Sequence, residues 1–107
     1  MGVIAEAAFD LSYSEDKMWV RLYAPEPEPN SEDWSCAFEI GAPISVARKL
    51  YGVSSLQALF LAMKTMSAYL YGSDIYKNKE LGVCGQFGRD LSIAAPNSLL
   101  DIAPYPF

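Results

Sequence analysis

The residue types best suited to chemistry in this sequence are two cysteines, thirteen carboxylates and seven tyrosines, and there is no histidine. Without histidine the chain has no Ser-His-Asp or Cys-His nucleophile pair and no histidine metal site. Two cysteines alone supply only half of the ligands of a structural zinc site. We therefore predict no catalytic, cofactor-binding or metal-binding residues, and the sequence favours a protein that is not an enzyme.

Cys84 lies in the glycine-rich stretch GVCGQFG. Such loops bind phosphate where they lead into a helix N-terminus, but no periodic helix follows this one and the P-loop lysine pattern is missing. The stretch is more typical of a turn that carries a small apolar thiol. The spacing leaves the redox state of Cys84 and Cys36 open, and two lone cysteines in such a chain are more typical of reduced thiols than of a disulfide.

A second class of function rests on carboxylates and tyrosines. The acids of the PEPEPN segment lie between prolines in a polar loop and are expected to be solvated. Tyr69 and Tyr76, together with Cys84, are the candidates for lining a cleft between the long helix described below and the C-terminal tail. A pocket that joins these three to an unpaired carboxylate would indicate a small-molecule-binding protein or a carboxylate/tyrosine-based enzyme.

Charge is unevenly distributed along the chain. Residues 1–41 carry a net charge of −7 and residues 42–107 carry +2, which together give −5. Because no basic stripe is present, the sequence predicts no nucleic-acid partner. The acidic N-terminal part would suit a basic protein partner, and it also favours solubility.

The sequence predicts a single cytoplasmic domain spanning 1–107. No signal peptide is apparent, because Glu6 and Asp10 interrupt the apolar start and no basic segment precedes it. Residues 53–71 approach the length of a membrane span, but Lys64 near the centre would cost about 2.5–3.5 kcal/mol on insertion. We therefore expect no membrane association.

The first fifty residues are typical of antiparallel strands. VIAEAAFDLS alternates loosely, KMWVRLYA alternates clearly, and DWSCAFEIG places Trp34, Cys36, Phe38 and Ile40 on one face. ISVARKLY is ambiguous between strand and helix, and its branched residues favour a strand. The predicted fold is α+β: a three- or four-stranded antiparallel sheet, one long helix packed on one face, a short second helix through about Glu80, a strand near 91–94 and an irregular C-terminal tail.

The long helix is the strongest local signal. It begins after the N-cap Ser54, with Gln57 completing a capping box, and Gly72 predicts a left-handed C-terminal stop. Its expected core stripe consists of Leu56, Leu59, Ala62, Met63, Met66 and Leu70.

The same helix also has apolar residues away from that stripe. We expect this second face to be an interface, most simply of a homodimer, formed by Phe60, Leu61, Lys64, Ala68 and Tyr71. The alternative is that the apolar tail LLDIAPYPF folds back over the same face.

The segments DWSCAFEI and YGVSSLQALFLAM together resemble a family of small bacterial domains of unknown function. That family is marked by a W-x-C-x-[FY]-x-I strand and a Y-G-V-x-S-x-Q-A-L helix start. The matching residues are Trp34, Cys36, Phe38 and Ile40, followed by Tyr51, Gly52, Val53, Ser55, Gln57, Ala58 and Leu59. The resemblance covers about residues 30–80 and implies a compact bacterial α+β domain, but no activity.

These observations favour a non-enzymatic protein-binding module, for which an immunity- or antitoxin-like neutraliser is one form. Small size, acidity, the absence of histidine and surplus apolar surface support that interpretation.

Overall fold

The computed structural model describes residues 2–93 of the 107-residue chain. The strands are β1 (Val3–Leu11), β2 (Ser14–Tyr23), β3 (Glu26–Pro27), β4 (Trp34–Ile40), β5 (Val46–Gly52), β6 (Leu81–Val83) and β7 (Gln86–Phe87). The helices are α1 (Ser55–Tyr71) and α2 (Asp74–Lys77), which follow β5 directly.

The seven described strands form one antiparallel sheet. β5 pairs along one edge of β4, while β2 and the short β3 share its other edge. From β2 the sheet continues through β1 and β6 to β7. The α+β class is confirmed, but the prediction of three or four strands was too small. The strands β3, β6 and β7 were not predicted, because prolines or glycines limit each to two or three residues.

The start of α1 is confirmed in atomic detail. Ser54 Oγ accepts from Gln57 N at 3.1 Å, and Gln57 Oε1 accepts from Val53 N at 2.6 Å. The prediction of a left-handed stop at Gly72 was wrong, because its φ is −86°. Ser73 caps α2 from the very next position, so the chain turns into α2 without a left-handed residue. Glycine is still required at 72, because a Cβ there would lie 2.7 Å from Ala68 O.

The core lies between α1 and the central strands β4 and β2. From α1 it takes Ala58, Ala62 and Leu70, and from the sheet it takes Phe9, Met18, Val20, Leu22, Cys36, Phe38 and Ile40. The expected core stripe is therefore correct in part, since Leu56 is 73% exposed and Met63 38% exposed. α1 begins very close to β5, where a Cβ on Gly52 would lie 2.6 Å from Ala58 N. This close approach turns the small side chain of Ala58 inward and leaves Leu56 outside.

The last described residues cross the C-terminal end of α1. Tyr71 Oη accepts from Leu91 N at 3.1 Å and donates to Ile93 O at 2.9 Å. Residues 91–93 are not a strand, contrary to the prediction, and α2 ends at Lys77 instead of near Glu80. Ala94 and the LLDIAPYPF segment lie outside the described residues. Neither of the two described helices is long and apolar enough to span a membrane.

Candidate binding site on the uncovered sheet

The structure does not bring the expected cleft residues together. Tyr69 packs near Phe38, with ring centroids 6.1 Å apart, and its hydroxyl accepts from Arg48 Nη1 at 2.8 Å. Tyr76 packs edge-on against Tyr71 at 5.0 Å. Cys84 is exposed at the turn between β6 and β7. The tail that was expected to form the other wall lies outside the described residues.

Both cysteines are free. Cys36 is buried, its Sγ lies 3.2 Å from Tyr23 O, and burial raises the pKa of its thiol, so the group stays protonated. In residues 2–93 no group of three or more cysteine and carboxylate side chains is arranged to hold a metal ion.

The N-terminal hairpin has the least protected backbone of the described sheet. β2 pairs with β1 along one side, with Glu6 opposite Arg21 and Phe9 opposite Met18. On the other side β6 pairs only with Asp10 and Leu11. The outer edge of β1 from Val3 to Phe9 has no strand partner among residues 2–93. Its first six residues are exposed.

An apolar groove lies between this hairpin and α1. Its volume is about 250 Å³. It is lined by Ala5, Glu6, Ala7, Phe9, Val20, Leu22, Met63, Met66, Leu70 and Ile93. Glu6 is the charged residue of this set, but its carboxylate lies on the opposite face of the sheet, with Oε2 3.4 Å from Arg21 Nε. The groove forms because α1 packs on β4 and β5 and does not extend over the N-terminal half of β1.

An exposed ridge on α1 borders the groove. It consists of Leu56, Phe60 and Met63, whose spacing of four and three residues places them on one side of the helix. Leu56 is 73% exposed, and Phe60 and Met63 are each 38% exposed. Met63 belongs to both the ridge and the groove wall, so the two form one continuous apolar surface.

The five residues of the expected helix interface do not share one environment. Phe60 and Ala68 are exposed, whereas Leu61, Lys64 and Tyr71 are partly buried. Tyr71 contacts the chain itself, through the bonds of its hydroxyl to Leu91 and Ile93. Of this set, only Phe60 belongs to the ridge.

The opposite face of the sheet carries polar and aromatic side chains. Arg21 lies 4.2 Å above the Trp19 ring and also contacts Glu6. The hydroxyl of Tyr23 donates to Glu39, and this bond raises the pKa of Tyr23, so its phenol is neutral at physiological pH. A shallow depression of about 430 Å³ beside this pair is lined in part by Lys49. Because Tyr23 and Glu39 are hydrogen-bonded to each other, Glu39 is not the unpaired carboxylate that the enzyme hypothesis requires.

Sequence reasoning did not identify the uncovered edge or the ridge. The signal for the edge was present in VIAEAA, where apolar residues occupy both faces of the predicted strand instead of alternating with polar ones. The ridge was missed because Leu56 and Met63 were assigned to the core stripe. Their exposure depends on the rotation of α1 that its contact with Gly52 imposes.

Comparisons with known proteins give a family without an assigned activity. No curated protein and no solved structure matches the chain significantly. A family model described as Domain of unknown function (DUF6968) matches residues 5–94. This match spans most of the chain and confirms the expectation, drawn from the strand and helix motifs, of a family of unknown function. The chain belongs to the DUF6968 family.

Proposed function

We propose that the domain is a non-enzymatic protein-binding module that takes an extended segment of a partner protein as an added strand along the outer edge of β1. The observation that supports this proposal is the stretch Val3–Phe9. Its outer edge has no strand partner among the described residues, and its side chains are mostly apolar and exposed.

An edge strand of this kind presents a row of N–H and C=O groups that can pair with another chain. Natural sheets usually protect such edges with lysine, proline or a bulge. β1 has Glu6 as its one charged residue between Val3 and Phe9, and Glu6 is engaged by Arg21. The pairing of β1 with β2 is irregular between Val3 and Ala5, so the regular part of this edge runs from Ala5 to Phe9. A regular five-residue edge whose one charged residue is Glu6 fits a surface that receives a strand.

Local charge favours a partner segment with basic residues. The acidic residues at this end of the sheet are Glu6, Asp10, Glu15 and Asp16, while the nearby bases Arg21 and Lys17 are engaged with Glu6 and Asp10. Glu15 and Asp16 lie beside the hairpin turn, so they would attract a lysine or arginine at the Leu11 end of an added strand. A neutraliser of the immunity or antitoxin kind, which blocks a basic protein by occupying one of its segments, is one form of this function.

The groove supports a second candidate, a small-molecule-binding protein. Its volume of about 250 Å³ is slightly below the range of drug-sized pockets, and its lining is apolar. It would suit a small apolar ligand. The carboxylate/tyrosine enzyme has less support, since Glu39 and Tyr23 bond to each other.

Selection from a display library of random twelve-residue peptides tests the proposed function. We expect enrichment of peptides with apolar residues at alternate positions and basic residues between or beside them. On binding, the amide signals of Val3–Phe9 should shift and become protected from hydrogen exchange. Ala8→Lys on β1 should weaken binding at least tenfold, whereas Ala47→Lys, an exposed alanine on the other edge strand β5, should not.

Two outcomes would contradict the proposal. One is the enrichment of peptides that carry no alternating pattern and shift signals away from β1. The other is an apolar fragment that fills the groove without any response from the β1 amides, which would favour the small-molecule binder.

A further inference from the structure

We infer that two copies of this domain associate by placing the α1 ridge of each copy in the groove of the other. The ridge is Leu56, Phe60 and Met63, and the groove lies between α1 and the β1–β2 hairpin. This inference concerns a different surface from the proposed function, because the groove lies over the face of the sheet and the added strand would pair with its edge.

The two surfaces match in chemistry and in length. Both are apolar, since the carboxylate of Glu6 lies with Arg21 on the opposite face of the sheet. From Leu56 to Met63 the helix rises about 10 Å at 1.5 Å per residue. The floor of the groove from Ala5 to Phe9 extends about 13 Å at 3.3 Å per residue. One apolar helix side therefore fits along the open stretch of the hairpin.

A second copy is the occupant that satisfies both surfaces at once. Within residues 2–93 the chain has an exposed apolar ridge and an apolar groove that no other described segment covers. A two-fold axis therefore creates two identical ridge-to-groove contacts and uses both surfaces of each copy. A different partner that only filled the groove of this chain would leave the ridge of this chain exposed to water. Exposed apolar surface of this extent is typical of an interaction site.

The size of the surface predicts a weak dimer. Of the ten residues that line the groove, Phe9, Val20, Leu22 and Leu70 are buried, so six keep accessible surface, and Leu56 and Phe60 extend it to eight. A standard interface has about 20–30 residues on each side. Because this surface is about a third of that size, we expect a dissociation constant in the upper micromolar range and not a permanent dimer.

Of the interface residues expected from the sequence, this arrangement retains Phe60. The remainder of the contact lies on another side of the helix. Ala68 lies on a different side of α1 from the ridge, and Tyr71 contacts Leu91 and Ile93 of its own chain. If two copies packed through the helix face expected from the sequence, Ala68 would lie in the interface. If each copy places its ridge in the groove of the other, Ala68 lies outside the interface.

Sedimentation equilibrium between low micromolar and several hundred micromolar concentration is the first test. We expect the wild type to pass from monomer to dimer over this range. Phe60→Lys in the ridge and Ala7→Glu in the groove should each weaken the dimer at least tenfold. The matched controls are Ala68→Lys on α1 and Ala8→Glu on the other face of β1, and both should leave the dimer intact. Circular dichroism must show that every variant is folded.

Mixing the two disruptive variants tests the exchange itself. In a heterodimer of Phe60→Lys with Ala7→Glu, one ridge and one groove are unchanged, and at the other contact the new lysine meets the new glutamate. The mixture should therefore form a one-to-one heterodimer, detectable by native mass spectrometry, at concentrations where each variant alone is monomeric. If α1 of one copy instead packed against the same face of α1 in the other copy, mixing the two variants would not restore the dimer.

Three results would overturn the inference: a wild type that stays monomeric throughout, a dimer that dissociates with Ala68→Lys but not with Phe60→Lys, and folded variants that fail to restore the dimer when mixed. If the wild type is monomeric and the methyl groups of Met63 show contacts to residues 94–107 of the same chain, the tail occupies the groove. Peptide binding at β1 is measured separately, so either proposal can fail alone.

Discussion

β1 and β4 are strands of similar length in one sheet, yet their surroundings are very different. β4 has strand partners along both edges and α1 above it, and four of its seven residues are buried. Among the described residues, β1 has β2 on one side and β6 at only its last two residues, and its first six residues are exposed. β4 therefore stabilises the domain, and β1 has surface available for another molecule.

The difference arises from where α1 begins. The chain leaves β5 at Gly52 and enters α1 almost at once, so the helix must lie over the β4–β5 side of the sheet. One helix cannot also cover the N-terminal half of β1. Connectivity, more than residue type, thus determines which apolar strand is buried.

The largest expected effect is on the covered side. Phe38 is fully buried on β4, next to Tyr69. Phe38→Ala should lower the free energy of unfolding by about 3–5 kcal/mol through lost burial and the cavity left behind. Val3→Ala on β1, where Val3 is 45% exposed, should cost less than about 1 kcal/mol. Chemical denaturation measures both, and equal losses would contradict the contrast between the strands.

A smaller effect is expected where α1 is anchored. Ser54→Ala removes the side chain that accepts from Gln57 N and should cost about 1 kcal/mol. Ser55→Ala, at the first position of the helix, is the control and should change little. Thermal unfolding compares the two variants. If Ser54→Ala had no effect, the cap would not be what holds the helix start over β5.

Much of this architecture could be predicted from the sequence, because it depends on local signals. The alternation of KMWVRLYA and DWSCAFEIG gave the central strands, and Ser54 with Gln57 gave the helix start. The short strands β3, β6 and β7 could not be predicted, because two or three residues carry no periodic pattern. The groove and the ridge could not be predicted either, since both depend on how α1 is rotated over the sheet.

Filling the groove should raise the free energy of unfolding modestly, whereas the two substitutions above lower it. Ala7→Val adds apolar volume to a groove wall that is open within residues 2–93. We expect a gain of about 0.5 kcal/mol in the free energy of unfolding at low concentration, together with a weaker dimer. Ala8→Val on the opposite face is the control and should leave association unchanged. A destabilised Ala7→Val monomer would indicate that the groove is already filled.

The smallest expected effect depends on pH. The pKa of Asp10 lies below its ordinary value, because Gly85 N donates to its carboxylate at 3.1 Å and Lys17 Nζ lies 3.2 Å away. The charged form is favoured in the folded state. The ionised carboxylate therefore stabilises the folded state at neutral pH. This contribution decreases once the pH falls below about 4, the ordinary pKa of aspartate in an unfolded chain, and it is lost as the pH falls through the lower pKa of the folded state.

Asp10→Asn should accordingly be less stable than the wild type at pH 7, by an amount that shrinks toward pH 3. Asp16→Asn, an exposed aspartate on the same hairpin, controls for the change in net charge. Chemical denaturation at several pH values gives the difference. If the difference in free energy of unfolding between Asp10→Asn and the wild type became larger in acid, the pKa of Asp10 would not be lowered in the folded state.

The most direct test of the claim that the uncovered side of the sheet is the interacting side uses the methionine methyl groups. Met63 and Met66 line the groove, whereas Met18 is fully buried and serves as an internal reference. In a concentration series of ¹³C-methyl-labelled protein, we predict that the Met63 and Met66 signals shift as the dimer forms while the Met18 signal stays in place. Association of the protein without any movement of the Met63 and Met66 signals would contradict this account.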